Sequence, residues 1–410
     1  MNNKFNISQD QLNDALNRAF VTLTQTDKFS SANGWVDYPA KCNDELKHIK
    51  ELAEITRDTS DILIVVGTGG SYLGAEACIQ ALEHLEDTEV IFVGYTLGSS
   101  RINKILDYIS NKRFSVNIIS RSGSTLETNV VGEIFLQKLK SEYPEDYKSR
   151  TIITTTAGSK LAKIANKNGY SLLEIPENIG GRYSVMTSVG LFPAAFAGID
   201  IYQIIEGANS IRKDLFQENS RAYDTIYQYI SYKLVSYGVG RNIELIVADD
   251  ERLTKLVEWL RQLIAESLGK SHLGSYPSGA LFSRDLHSIG QYIEDGTPNI
   301  SETLIRILDR GEDIELNCQD SIIFNGMQGC NSLNSINQGI SESALEAHYR
   351  AGVPIYAITL QSLLPHELGV FFYLFEMAIA LLGIIMNINP FDQPAVENYK
   401  QIMRSRYPER

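Results

Sequence analysis

The chain has 410 residues, of which 43% are hydrophobic and 21% charged, enough apolar material for two or three buried cores and too much for a disordered or fibrous protein. Its 50 acidic against 37 basic side chains leave a formal charge of -13, which argues against non-specific binding to nucleic acid or to an anionic membrane. Cys42, Cys78, Cys318 and Cys330 are scattered without a CxxC pair, so neither a disulfide framework nor a zinc knuckle is expected, and a reducing cytoplasm is. The opening Met-Asn-Asn-Lys-Phe-Asn-Ile-Ser-Gln-Asp10 lacks the basic-then-apolar pattern of a secretory signal.

Residues 1–60 read as polar and partly helical: over 45–55, Leu46, Ile49, Leu52 and Ile55 recur three apart, as on one face of a surface helix. Asp61-Ile-Leu-Ile-Val-Val66 is a short continuous apolar run, the pattern of a strand buried on both faces. Similar runs at 90–93, 116–119, 151–154 and 172–175, most of them separated by helix-length segments, predict a parallel sheet with helices on both faces. A long connection around 193–214 leads through helical segments to a second series of strands at 243–248, 320–324 and 353–360. The expected fold class is α/β, with two units in tandem over 1–200 and 201–410. The most apolar stretch, 368–386, approaches the ~20 residues that would span a bilayer. Glu376 sits in its middle, however, and Asn387 and Asn389 follow, so it reads as a helix buried in the core or at a subunit interface. There is no internal sequence repeat.

The first strand runs into Gly67-Thr-Gly-Gly-Ser-Tyr-Leu-Gly74, where backbone N–H groups and a helix N-terminus can approach an anion. A dinucleotide fingerprint fails because Tyr72 stands where glycine is needed, and a Walker A loop fails at Gly74-Ala75-Glu76. A tight turn without ligand explains the loop equally well. The third strand runs into Ser120-Arg-Ser-Gly-Ser-Thr-Leu-Glu-Thr128, which concentrates hydroxyls and a cation at a helix start, as a phosphate monoester requires. Ser124-Thr-Leu-Glu127 is also a capping box, which would account for one serine and the glutamate but not for the other hydroxyls or Arg121.

Over 256–266, Leu256, Leu260, Leu263 and Ile264 form the stripe of an amphipathic helix, and Glu266 falls at its edge beside Trp259 and Gln262. A carboxylate there is partly desolvated, as a general base is, although a glutamate in a helix's last turn is usually just solvated. His287, in Asp285-Leu-His-Ser-Ile-Gly-Gln291, has a polar, turn-like setting, and Arg182 follows paired glycines in Asn178-Ile-Gly-Gly-Arg-Tyr-Ser184. Asn389-Pro-Phe-Asp-Gln-Pro-Ala-Val-Glu-Asn-Tyr-Lys400 opens a helix after Pro394, and Lys400 alone reads as a surface lysine.

Together these segments resemble the glucose-6-phosphate isomerase family in its compact bacterial branch. The motifs carrying the resemblance are Gly67 through Gly74, Ser120 through Thr128, Gly180-Gly-Arg-Tyr-Ser184, Glu266-Ser-Leu-Gly-Lys270, Asp285-Leu-His-Ser288 and Phe391 through Lys400, in the family's order. The resemblance implies two sugar-isomerase domains, each a mainly parallel sheet in a three-layer αβα sandwich, with a C-terminal helical tail. It implies reversible isomerisation of glucose 6-phosphate to fructose 6-phosphate through a cis-enediol(ate), without metal or other cofactor. It also implies a cytoplasmic homodimer whose histidine reaches the neighbouring subunit's site. Glu266 would be the base, Arg182 would face the reacting carbons, and His287 and Lys400 would handle ring opening. Gly70, Ser71, Ser120, Arg121, Ser122, Thr125, Gln262 and Gln393 would bind substrate, the hydroxyls and Arg121 taking the phosphate. Four positions depart from the family pattern: Thr68 replaces isoleucine, Arg121 lysine, Leu268 an acidic or polar residue, and Ala395 glycine. Two other readings stay open: an isomerase of another hexose phosphate such as mannose 6-phosphate, and a sugar-phosphate sensor on the same fold. A sensor would need the hydroxyl loop but not Glu266, His287, Arg182 and Lys400 together, and no basic helix-turn-helix accompanies them.

Overall fold

In the computed structural model, which describes residues 8–82, 87–217, 220–316, 323 and 331–407, the chain opens with helices α1 (Gln9–Thr24), α2 (Gly34–Lys41) and α3 (Asn43–Thr59). A reciprocal pair of bonds between Ser8 and Gln11 caps α1. On α3, Leu46, Ile49 and Leu52 are buried as their spacing predicts, but Ile55 is 62% exposed, and Ala53 and Thr56 turn inward instead. Each three-residue step lags the helical turn by about 60°, so nine residues on, the fourth apolar residue has come round to solvent.

The first α/β unit follows as β1 (Ile62–Val66), α4 (Leu73–Ala81), β2 (Glu89–Val93), α5 (Ser99–Ile109), β3 (Phe114–Ile119), α6 (Leu126–Glu142), β4 (Thr151–Thr155), α7 (Lys160–Asn168) and β5 (Ser171–Glu174). All five expected strands are present, parallel, in the order β2-β1-β3-β4-β5. Ile62, Ile64 and Val66 point into one helical layer and Leu63 and Val65 into the other, which is why the run is apolar at every position. Val66 pairs with Val93 on one side and Ile118 on the other, so the chain leaves β1 where the sheet changes its direction of growth. Crevices of that kind, at the carboxyl ends of strands, are where open α/β sheets hold ligands.

The stretch expected as a long connection is helical instead: α8 (Ser188–Phe196) accommodates Pro193 and is wholly buried, and α9 (Ile201–Leu215) and α10 (Arg221–Gly238) follow. The second unit comprises β6 (Ile243–Ala248), α11 (Thr254–Leu268), β7 (Tyr276–Leu281), α12 (Leu286–Asp295), β8 (Ile300–Ile307), α13 (Leu333–Arg350), β9 (Ile355–Leu360), α14 (Pro365–Ile385) and α15 (Val396–Arg406). Its four strands are parallel in the order β7-β6-β8-β9. The strand expected at 320–324 lies outside the described residues, apart from Ile323. Two strands were not anticipated. β7 contains Pro277 and Gly279, which a sheet edge tolerates. β8 interrupts its apolar run with Ser301, Glu302 and Thr303, all buried. Glu302 is met by His348 Nδ1 at 2.9 Å, and the Thr303 hydroxyl donates to Glu244 Oε1 at 2.7 Å, so these polar groups lie inside because each has a partner.

The inner faces of both sheets (Leu63, Val65, Ile246 and Ala248) share one core with α8, α9, α11 and α14. α14 is long and apolar enough to cross a membrane, but most of it is buried among the other elements. Glu376 on it is wholly buried, and neither carboxyl oxygen has a hydrogen-bond partner among the described residues. Burial pushes its pKa well above the ordinary carboxylate range, which favours the neutral carboxyl. Cys42 and Cys78 are buried, unpaired thiols; Cys318 and Cys330 lie outside the described residues.

Candidate active site

β1 delivers its glycine loop into a single tight turn, Gly69–Ser71, ahead of α4. Gly69 has φ +53°, and a Cβ added to Gly70 would lie 2.1 Å from the Gly181 carbonyl oxygen. Glycine is therefore needed at 70 before any ligand is considered: the loop is pressed onto a second tight turn, Gly181–Tyr183, which carries Arg182. The two glycine-bearing motifs are the two sides of one backbone contact. Gln262 of α11 approaches the same loop, its Nε2 2.8 Å from where a Gly69 Cβ would be.

Arg182 is buried and its guanidinium is fully committed. Nε donates to Ser267 Oγ at 2.9 Å, Nη1 to Glu266 Oε2 at 3.1 Å and to Gln393 Oε1 at 2.6 Å, and Nη2 to the carbonyls of Pro390 at 2.5 Å and Asp392 at 3.1 Å. The other oxygen of Glu266 accepts from Gln262 Nε2 at 2.9 Å. Gln262 and Glu266 are one helical turn apart on α11 and so share a face, as the edge-of-stripe spacing predicts. The carboxylate is held between an amide and a guanidinium while about a third of the side chain stays exposed. Such a group can take a proton from a bound molecule, and the guanidinium beside it can face the negative charge that results.

The hydroxyl loop ends β3. The capping box expected at Ser124–Glu127 does not form: Thr125 is the N-cap of α6 and makes no side-chain cap bond. The hydroxyls bond one another instead, Ser120 Oγ with Thr125 Oγ1 at 3.1 Å and Ser122 Oγ with Ser124 Oγ at 3.0 Å, while Ser120 Oγ also accepts the Gly123 N–H at 3.2 Å. The first turn of α6 is thus left without a side-chain cap, beside exposed Arg121 and Ser122. Arg121 Nη2 donates to the Glu177 carbonyl at 2.5 Å, bridging to the segment that leads into the turn of Arg182.

One chain thus gathers Gly70, Arg182, Gln262, Glu266 and Gln393 into a single network, and the register of β1 and β3 sets Ser71 and Ser120–Thr125 at neighbouring strand ends. His287 and Lys400 stand outside it. His287 is exposed on the first turn of α12, a helix where a turn was expected. Lys400 Nζ on α15 pairs with Glu397 Oε1 at 2.8 Å. Three residues in or beside the network carried no role in the sequence reading: Ser267, Lys270 and Asp392. For Ser267 a signal existed, because a hydroxyl three and four residues after Ile264 and Leu263 falls on the buried face of α11. Among the described residues no group of His, Cys, Asp or Glu is arranged to hold a metal ion.

The tandem parallel sheets place the chain in the class of sugar-isomerase folds. It superposes on a hypothetical protein from Thermus thermophilus with TM-score 0.86 at 26% identity, covering 97% of this chain and 95% of that one. With a glucose-6-phosphate isomerase from Chlamydia trachomatis the TM-score is 0.72 at 21% identity, over 96% and 79%. Within that class the chain belongs to the phosphoglucose isomerase family, whose model matches residues 40–409. It is 38% identical over 381 residues to the glucose-6-phosphate isomerase of Staphylococcus saprophyticus, a match covering 90% of this chain and 85% of that one.

Proposed function

We propose that this chain interconverts glucose 6-phosphate and fructose 6-phosphate, with Glu266 as the base that moves a proton between C2 and C1. The observation that carries the reading is the Glu266 carboxylate held by Gln262 and Arg182 and partly open to solvent, in a chain whose curated relatives carry that enzyme's name. The sugar enters as a ring, and opening it takes a proton from the C1 hydroxyl and gives one to the ring oxygen, the work assigned to His287 and Lys400. Glu266 then removes the C2 proton. The electron pair left behind forms the C1–C2 double bond of a cis-enediol(ate), whose charge faces Arg182. A proton moves from the C2 hydroxyl to O1, and Glu266 returns its proton to C1, leaving the ketose with no net gain or loss of atoms. Ser71, Ser120, Arg121, Ser122 and Thr125 bind the phosphate end, Gln262 and Gln393 line the reacting end, and Gly70 also contacts substrate. The phosphate contacts contribute binding energy that orients the open chain without taking part in the reaction.

The exposure of His287, outside the network of its own chain, supports a homodimer in which each histidine completes the partner's site. The grouping of the first sheet within 62–174 and the second within 243–360 supports units of 1–200 and 201–410. We place the enzyme in the cytoplasm, where its phosphorylated substrates are made and used.

A coupled assay of glucose 6-phosphate formed from fructose 6-phosphate tests the activity. Turnover should persist in a chelator, because no step of the proposed scheme calls on a metal ion; no turnover by pure folded protein would defeat the reading. Subunit mixing tests the assembly. Inactive His287→Ala and Glu266→Gln proteins, unfolded and refolded together, should regain up to about a quarter of wild-type activity, since half the random dimers are mixed and each of those has one intact site. No recovery, with mixed dimers demonstrated by mass, would place both residues in a single-subunit site.

A further inference from the structure

Lys270 ends the motif Glu266-Ser-Leu-Gly-Lys270 and has no part in the chemistry above. It follows the C-cap of α11, with only 12% of its side chain exposed. Its Nζ donates to the Asn389 carbonyl and pairs with Asp392 Oδ1 at 3.0 Å. Burial draws its pKa below the ordinary lysine value against the pull of Asp392, so the ammonium is kept in a place that costs it solvation. Arg182 grips the same loop through the Pro390 and Asp392 carbonyls and the Gln393 side chain. Two cations from different elements thus converge on residues 389–393. Within the loop, Asn389 Nδ2 donates to Asp392 Oδ2 at 3.0 Å and the Phe391 N–H to Asn389 Oδ1 at 3.0 Å, while the Phe391 ring packs against Phe29 and Tyr183. This makes the loop a short rigid piece held from outside by two cations and by the packing of the Phe391 ring.

We propose that Lys270 is a positioning residue for the isomerisation: by fastening Asn389 and Asp392 to the end of α11, it fixes Gln393 and the carbonyl acceptors of Arg182, and through them the guanidinium against Glu266. The inference rests on Glu266 and Arg182 being the reacting pair. The same loop leads into α15, so Lys270 also sets where Lys400 is presented. Without Lys270 the loop keeps its bonds to Arg182 and the packing of the Phe391 ring, but Asn389 and Asp392 are no longer tied to the end of α11, and Arg182 can follow its acceptors away from the carboxylate. The phosphate contacts lie on the other sheet and are untouched.

Lys270→Met should lower kcat about 10- to 100-fold, the scale expected when a reacting group shifts by about 1 Å, while KM for fructose 6-phosphate stays within about threefold. Lys270→Arg, which keeps charge and donors, should restore most of the loss. Asp392→Asn, at a half-exposed side chain, removes the ion pair without opening a cavity and should cost several-fold in kcat with an unchanged melting temperature. Wild-type kcat in Lys270→Met, a defect confined to KM, or a Lys270→Arg enzyme as slow as Lys270→Met would each overturn the proposal. Should Lys270→Met fail to fold, wild-type kcat in Asp392→Asn overturns it. Glu266→Gln in the same assay separates the two failures: turnover retained there defeats the assignment of the base, whereas a dead Glu266→Gln beside a fully active Lys270→Met defeats only the role of Lys270.

Discussion

Glu266→Gln should lower turnover by at least about 100-fold, the lower end of what a general base contributes, while fructose 6-phosphate continues to bind. The substitution preserves shape, and the surroundings can accept it. Arg182 Nη1 still finds the amide oxygen, and the new amide N–H₂ meets Gln262, whose own oxygen is buried without a partner among the described residues and can be turned to face it. The fold therefore loses little, and the missing function is the carbon-bound proton, which an amide cannot accept. Ring opening should persist, since the proposed scheme assigns it to His287 and Lys400. The measurement is solvent deuterium incorporation at C1 and C2 of the sugar, run beside calorimetric binding of fructose 6-phosphate. Exchange at the wild-type rate would show that another group is the base; loss of binding would show that Glu266 holds the ground state instead.

How far the sequence carried this reading depended on whether a residue's role is local. The five strands of the first sheet were legible because both faces of β1, β3 and β4 are buried, and a strand covered on both sides is apolar at every step. The second sheet was half hidden. β8 reads as polar because Glu302 answers to His348, 46 residues on, and Thr303 to Glu244, 59 residues back, and no window of sequence displays such pairs. Ile55 misled in the opposite sense, since a three-residue spacing is helical for two steps and wrong by the third. At the site, counting the helical stripe put Glu266 at its edge beside Gln262, where the structure has it, while its role as base was implied only by the family resemblance. The partners of Arg182 were not, since Gln393 is 211 residues away and two of its other acceptors are backbone carbonyls, which every residue has. The capping box failed for a comparable reason: hydroxyls at 120, 122, 124 and 125 satisfy one another across a turn whose geometry is fixed by β3 and β4.

Arg182 leaves the turn at Gly181–Tyr183 with every guanidinium donor engaged, and this sets the expectation for Arg182→Lys. An ammonium keeps the positive charge, but it has three donors at one point where the guanidinium spreads donors over five acceptors. At least two acceptors must be abandoned, and the loop at 389–393 loses its registry with α11. In the proposed scheme the guanidinium also faces the charge that develops as the C2 proton leaves, so turnover should fall by roughly 100- to 1,000-fold, the cost typical of removing one preorganised donor to an oxyanion. The distinguishing measurement compares two ligands. Fructose 6-phosphate should bind nearly as well as to wild type, since the proposed phosphate contacts, Ser71 and Ser120–Thr125, lie at the ends of β1 and β3. A phosphorylated sugar acid with a planar anionic head, resembling the enediolate, should lose affinity in step with kcat/KM. Equal weakening for both ligands would assign Arg182 to substrate binding, and turnover within about threefold of wild type would show that a positive charge suffices without the guanidinium's spread of donors. Arg182→Met then separates charge from scaffold. It leaves the Glu266 carboxylate without its cation and the carbonyls of Pro390 and Asp392 without their donor, so it should melt at a lower temperature than Arg182→Lys as well as being slower.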